Sequence, residues 1–168
     1  MRDQPRYEGL EPSTFFSDGQ SARPVVEGTV AQGQYHEEDP LYRVKVDDKF
    51  VTKLPLEVDR ALLERGQERF EIYCAACHGP SGDGDGMIVR RGFKRPPSFH
   101  RPRLRAAPAG HFFDVMTHGF GVMPRYSIQI EPRDRWAITA YIRVLQRSQH
   151  ATLDDVPADL REKLEETP

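Results

Sequence analysis

The chain has 168 residues, with 24 Lys plus Arg against 26 Asp plus Glu, 38% hydrophobic residues, 14 Pro, 13 Gly and two Cys. Domains run to roughly 100 to 200 residues, so this length holds one compact domain with extensions and excludes a large multidomain enzyme. A net charge of −2 gives no global attraction for nucleic acid, and two Cys cannot build a multi-bridge disulfide scaffold. No apolar run approaches the roughly 18 to 20 residues that cross a bilayer.

Charge divides the chain into three parts. Residues 1–58 carry 7 basic and 11 acidic side chains, residues 59–148 carry 15 and 9, and residues 149–168 carry 2 and 6. The first part is an extended, mostly irregular arm with no sustained helical period. Its best local structure is a short hairpin: Tyr42, Val44 and Val46 alternate before the turn-like Asp47-Asp48-Lys49 and Phe50-Val51. Phe15, Phe16, Tyr35 and Tyr42 suffice to dock such an arm on a surface but not to build a core.

The middle part opens with a helix capped by Asp59, in which Leu62, Gly66, Phe70, Tyr73 and Cys77 recur every three or four residues on one face. A glycine inside a helix costs about 1 kcal/mol relative to Ala, so its place on the apolar face predicts a second helix crossing closely there. Residues 106–118 form a shorter helix after Pro108 that stops at Gly119. Another helix follows Glu131-Pro132 and is apolar around most of its circumference, from Trp136 to Leu145, as the buried partner of the first. Loops marked by residues 79–86 and by Pro96-Pro97 lie between. The acidic tail has a weak helical pattern in Val156, Leu160 and Leu164.

Cys74-Ala75-Ala76-Cys77-His78 is a C-x-x-C-H sequence, the attachment signature of haem c. Two thiols at this spacing can each bond one vinyl group of a single porphyrin, and the adjacent histidine is carried beneath the iron as an axial ligand. Structural zinc needs four ligands, and no second C-x-x-C or H-x-x-x-H pair exists. A thioredoxin-like dithiol wants a strand before the motif, whereas a helix precedes it here.

An electron-transfer haem also needs a ligand on the opposite face, from Met87, His100, His111, Met116, His118 or Met123. Met87 is too close to His78 along the chain to reach that face, and Met116 fits a core role beside Phe112 and Phe113. Met123 lies in Gly119-Phe120-Gly121-Val122-Met123-Pro124, where glycines let backbone approach a flat ring and the proline stiffens the ligand's position. Met123 is therefore preferred, with His118 and His100 as alternatives.

The helix with Gly66 and Phe70, CAACHGPSGDGDG, the Pro-Pro-Ser-Phe segment, Gly-Val-Met-Pro and the Trp-Ala-Ile-Thr-Ala-Tyr-Ile-Arg-Val-Leu-Gln helix together resemble a class I cytochrome c over residues 59–148. The resemblance implies an all-α shell around one covalent haem c, with the first and last helices crossing at Gly66, Phe70 and Tyr141. It implies axial ligation by His78 and Met123. It also implies that a backbone carbonyl of the proline pair, that of Pro97, accepts a hydrogen bond from His78 Nδ1 and orients the imidazole.

A longer resemblance takes in the arm. DQPRYEGLEPSTFFSDGQSARPVVEGTVAQGQ, then DGDGMIVRRGFKRPPSFHRPRLR and DRWAITAYIRVLQ, are similar to the monohaem cytochrome c subunit of bacterial alternative complex III, a membrane quinol oxidoreductase. That family implies a peripheral protein on the periplasmic or extracytoplasmic face of the membrane, working beside multihaem cytochrome c and iron-sulfur subunits. Electrons would pass on to a terminal oxidase or soluble carrier. Lipid anchoring is common there through an N-terminal cysteine, which this chain lacks. The N-terminus also lacks the build of a secretory leader. Haem c is attached outside the cytoplasm, so a leader is expected to be missing from the chain rather than unnecessary.

Between Ile88 and Phe113 stand seven basic and no acidic residues: Arg90, Arg91, Lys94, Arg95, Arg101, Arg103 and Arg105. Arg forks match carboxylates, so some of these, Arg91 among them, are candidates to hold haem propionates while others face an acidic redox partner. The reading is electron transfer with no residue required as general acid, base or nucleophile. The rivals are a cytochrome serving a different dehydrogenase and a haem enzyme or sensor with an open distal face. The acidic flanks oppose a nucleic-acid partner.

Overall fold

The computed structural model describes residues 4–30, 36, 39–157 and 160–161. Tyr35 and Leu164, assigned above to arm docking and to the tail pattern, lie outside the described residues. The chain divides into two compact units, Met1–His36 and Glu37–Pro168.

In the first unit, Pro12 and Gln20 form an antiparallel bridge, with Ser13 N donating to Gly19 O at 2.9 Å. Arg23 closes the loop from outside. Its guanidinium lies 4.2 Å from the centre of the Phe16 ring and bonds Asp18 at 2.6 and 2.8 Å. A cation-π contact, an ion pair and a bridge thus staple a segment whose composition alone reads as irregular chain.

The second unit is helical. Helix α1 (Arg60–Tyr73) begins where the Asp59 carboxylate accepts from Leu62 N at 2.7 Å, satisfying one of the free amide groups of the first turn. Its Leu62, Gly66 and Phe70 are buried. Three one-turn helices follow: α2 (Ala75–His78), α3 (Met87–Arg90) and α4 (Pro102–Arg105). Helix α5 (Ala109–His118) stops at Gly119, and α6 (Pro132–Ser148) carries its proline in the first turn, where no amide bond is lost. The sequence pattern predicts α1, α5 and α6; α3 and α4 fall in segments expected as loop.

Helices α1 and α6 cross at Gly66. A Cβ there would sit 2.1 Å from the carbonyl oxygen of Ala137 and 3.0 Å from Tyr141 Cβ, so only glycine permits this approach. Phe70 is fully buried beside the crossing, with its ring centre 5.4 Å from that of Tyr141. At the solvent edge Arg65 forks onto Asp134, both bonds 2.8 Å.

Residues 39–56 correct the boundary drawn from charge. Strands β1 (Lys45–Val46) and β2 (Lys49–Phe50) pair antiparallel, and Asp47 and Asp48 both take positive φ, +49° and +58°, as a two-residue hairpin turn requires. Leu41, Val44, Val51, Leu54 and Leu56 cover a cluster of Ala109, Phe113 and Trp136. Trp136 Nε1 donates to Leu41 O at 2.8 Å, and its ring stacks on Phe113 at 4.5 Å. These apolar side chains find partners in α5 and α6, so the helical unit starts well before residue 58. In the tail, Thr152 caps the 3-10 turn Leu153–Asp155, and Asp155 pairs with Arg147 of α6.

Gly66→Ala tests the crossing. Helix propensity alone would stabilise the variant by about 1 kcal/mol, whereas forcing a methyl against rigid backbone costs about 1–3 kcal/mol. Chemical denaturation should show a net loss; a gain in stability would mean that the helices do not touch at Gly66.

Candidate functional site

The site grows from the end of α1. Cys74 N still donates to Phe70 O at 2.8 Å, and Cys74 O accepts from Cys77 N at 3.1 Å and His78 N at 2.8 Å. The motif is therefore one helical turn, which brings both thiols to one side. Both cysteines are free and half-buried. Burial, and then the neighbouring Cys77, push the Cys74 thiol up to about 12. Burial pushes His78 down to about 4, so its imidazole is neutral at pH 7. That ring lies nearly parallel to Phe99, with centres 4.6 Å apart and planes 11° apart, and its Nδ1 is buried without a hydrogen-bond partner.

The glycine segment locks the motif from behind. Gly84 N donates to His78 O at 2.7 Å and Gly86 N to Cys77 O at 3.1 Å, satisfying carbonyls at the end of α2. Gly84 has φ +79°, and a Cβ on it would lie 2.3 Å from Pro96 O. Phe99 N donates to Gly82 O at 2.9 Å, and the buried Gln146 amide of α6 donates to Phe99 O at 2.9 Å. Phe99 is thus held from both sides while its ring covers His78.

Met123 comes from a tight loop. Phe120 and Met123 exchange two backbone bonds of 3.0 Å, with Gly121 at φ +60° between them. Met123 is half-buried and packs at the edge of the main core cluster, as do Cys74, Tyr73 and Tyr126. The other candidates are engaged elsewhere. Met116 is inside the core with Phe112, Met87 is exposed on α3, and His118 is exposed and bonds Asp114 at 3.0 Å. His100 bonds Ser81 O at 2.8 Å, and His111 sets its edge against Phe50 and Phe112.

Pro97 is exposed, and no bond joins its carbonyl to His78 Nδ1; the imidazole instead follows the plane of Phe99. Arg91 ends α3 with an exposed side chain that makes no hydrogen bond or ion pair among the described residues. Its neighbours serve the glycine segment. Arg90 bonds the carbonyl and carboxylate of Asp85, both at 3.0 Å, and Arg95 bonds Asp83 O at 3.1 Å.

Phe99 and Tyr126 belong to the site, and sequence reading missed them. The Tyr126 phenol is pushed up, first by burial and then by the nearby sulfurs of Cys74 and Cys77, and its ring meets Tyr73 edge-on at 6.5 Å. Nothing local distinguishes either residue from an ordinary core aromatic.

The residues present fit a haem c. A neutral imidazole with a buried, uncommitted nitrogen, two thiols on one helical turn and a thioether packed against the main core cluster are the donor types that such a group takes. Among the described residues no group of three or more His, Cys, Asp or Glu could hold a metal ion.

Residues 61–142 match the family model described as cytochrome C oxidase, cbb3-type, subunit III. The chain carries a cytochrome c domain on a mostly helical fold, and such domains hold haem c covalently. No curated protein matches the sequence. One solved structure, titled as a reducing HAO-like protein complex of Kuenenia stuttgartiensis, is 22% identical over 63% of this chain and 54% of its own, with a TM-score of 0.48. The chain spans about half the length of that solved protein, and the likeness is too distant to carry an argument.

Replacing both Cys74 and Cys77 by Ala should abolish haem that survives denaturing electrophoresis, while either single variant keeps a reduced signal. Haem stain undiminished in the double variant would rule out the two thiols as attachment points.

Proposed function

We propose that this chain is a one-electron carrier whose single haem c is bonded to Cys74 and Cys77 and ligated by His78 and Met123. We further propose that it is the peripheral monohaem subunit of a membrane quinol oxidoreductase of the alternative complex III type, on the extracytoplasmic face. The observation that carries the first part is the end of α1: two half-buried thiols on one turn, followed by a half-buried imidazole kept neutral by desolvation and covered by Phe99. When bound, the haem supplies reversible exchange of one electron at its iron.

The chain's own residues do the rest. His78 offers a lone pair because burial keeps it unprotonated, and Phe99, anchored by Gln146 and Gly82, fixes the plane of its ring. Met123 offers a soft thioether, which favours the reduced state and raises the potential. Tyr73 and Tyr126 crowd the thiols and reduce water access there. None of these groups has to move a proton, which suits a carrier better than an enzyme.

The assembly reading draws on the first unit. Leu10, Phe15, Val25 and Val26 are 91%, 82%, 81% and 73% exposed, although the segment has its own hydrogen bonds. Apolar side chains turned outward on an ordered loop suit contact with another protein. The proposed neighbours are the multihaem cytochrome c and iron-sulfur subunits, with a terminal oxidase or soluble carrier as acceptor. No helix among the described residues is long and apolar enough to cross a membrane.

Met123→Ala should lose the thioether-ligated low-spin spectrum and let the ferrous protein bind carbon monoxide; an unchanged spectrum would exclude Met123 as the ligand. Deleting residues 1–36 should abolish co-purification with large redox subunits while leaving haem content unchanged. Residues 39–56 must be retained, because they cover Trp136 and Phe113. Assembly that survives the deletion would refute the docking role.

A further inference from the structure

An open surface depression of about 370 Å³ lies at the C-terminal end of α6, lined by Arg105, Arg143, Gln146, Arg147 and His150. Its charge is one-sided. The half-buried Arg143 guanidinium lies 5.0 Å from the centre of the Phe112 ring and donates to Arg105 O at 3.2 Å, to Gln146 Oε1 at 2.7 Å and to Ala107 O. Every one of these partners is neutral. Burial lowers the Arg143 pKa from its ordinary value, the mark of a desolvated charge without a compensating carboxylate.

The other groups leave the imbalance in place. Arg105 is exposed, and its side chain makes no hydrogen bond or ion pair among the described residues. Arg147 has a carboxylate, that of Asp155. The His150 ring bonds Gln146 O through Nδ1 at 3.1 Å, which leaves Nε2 uncommitted to the backbone. Among the described residues, three guanidiniums line the depression and one carboxylate pairs with them, an excess of about two positive charges. The negative end of the α6 dipole offsets only about half a charge.

We propose that this depression binds a phosphate-bearing anion. A monovalent carboxylate would balance half of the excess, whereas a phosphate near neutral pH carries about −1.5 to −2 and presents three oxygens to guanidinium forks. Arg143 is held in place by its carbonyl bonds before any ligand arrives, so little side-chain entropy is lost at that position on binding. Arg105 supplies exposed guanidinium donors at the rim. Free phosphate and the phosphomonoester headgroup of phosphatidic acid share this chemistry.

The test uses the haem-loaded full chain in low-salt buffer, titrated with inorganic phosphate by calorimetry and sedimented with vesicles of phosphatidylcholine, with or without phosphatidic acid. Arg105→Gln changes an exposed side chain and should weaken phosphate binding at least fivefold. Arg133→Gln, an exposed cation at the opposite end of α6, should leave it unchanged. The same ranking on vesicles with phosphatidic acid but not on phosphatidylcholine alone identifies a lipid headgroup as ligand, and the ranking with inorganic phosphate alone identifies the free anion. Wild-type protein that binds neither probe, or equal loss in the Arg133→Gln control, overturns the proposal. Haem content and axial ligation do not enter these readouts, so failure here is separable from failure of the electron-transfer reading.

Discussion

The contact of α1 with α6 at Gly66 sets the terms for the rest of the helical unit. The backbones touch where a side chain would otherwise separate them, so the α6 residues on this face bury against α1 without filler. Gly66 costs helix propensity, but the approach lets Phe70 reach complete burial and directs the end of α1 towards the core. Cys74 follows Phe70 by one turn, so the direction of the thiols is inherited from that crossing. The opposite face of α6 is equally apolar and must be covered by something else. Trp136 is fully buried there, and α5 with residues 39–56 supplies its cover.

A second constraint is the histidine. An imidazole buried among aromatic and aliphatic side chains stays neutral, and its polar atoms then need an orienting contact. Phe99 provides the contact by shape rather than by hydrogen bonding, with the two planes within 11°. Its position depends on three distant pieces of chain: the carbonyl of Gly82, the amide of Gln146 and the backbone that passes Gly84 at close range. The glycine segment is thus as much a clamp on the motif as a connection. Its amides close the carbonyls of Cys77 and His78, and its Asp83 and Asp85 fasten Arg95 and Arg90.

The parts visible in the sequence are those written locally. Asp59 as a cap, Pro132 in a first turn and Gly119 as a stop fix the helix boundaries to within a few residues, and the cysteine spacing names its own chemistry. Gly66 was readable because a glycine on an apolar helix face makes no sense unless something crosses it. What stayed hidden depends on orientation at long range. The Leu41 carbonyl accepts from Trp136 across most of the chain, and charge counting had put Leu41 in a separate arm. Phe99 looks like any aromatic after a proline pair, and whether it or the Pro97 carbonyl meets His78 depends on a rotation that no spacing encodes.

Charge shows the same division between local and global. The basic excess of the middle segment reads as one surface, yet its members do different work. Arg135 is buried, stacked over Phe113 and bonded to Ile130 O and Thr117, while Arg65 and Arg69 gather around Asp134. Arg90 and Arg95 are tied into the glycine segment. Arg91, Lys94, Arg101 and Arg103 remain exposed, all on the stretch between the cysteine motif and α5. Charges spent on fixed internal bonds contribute little to a field outside the protein. The exposed cations of that stretch act on a partner only within about one Debye length, roughly 8 Å at physiological salt. Such a field guides a partner over the last few ångströms of approach and leaves the persistence of the contact to the apolar surfaces that meet there.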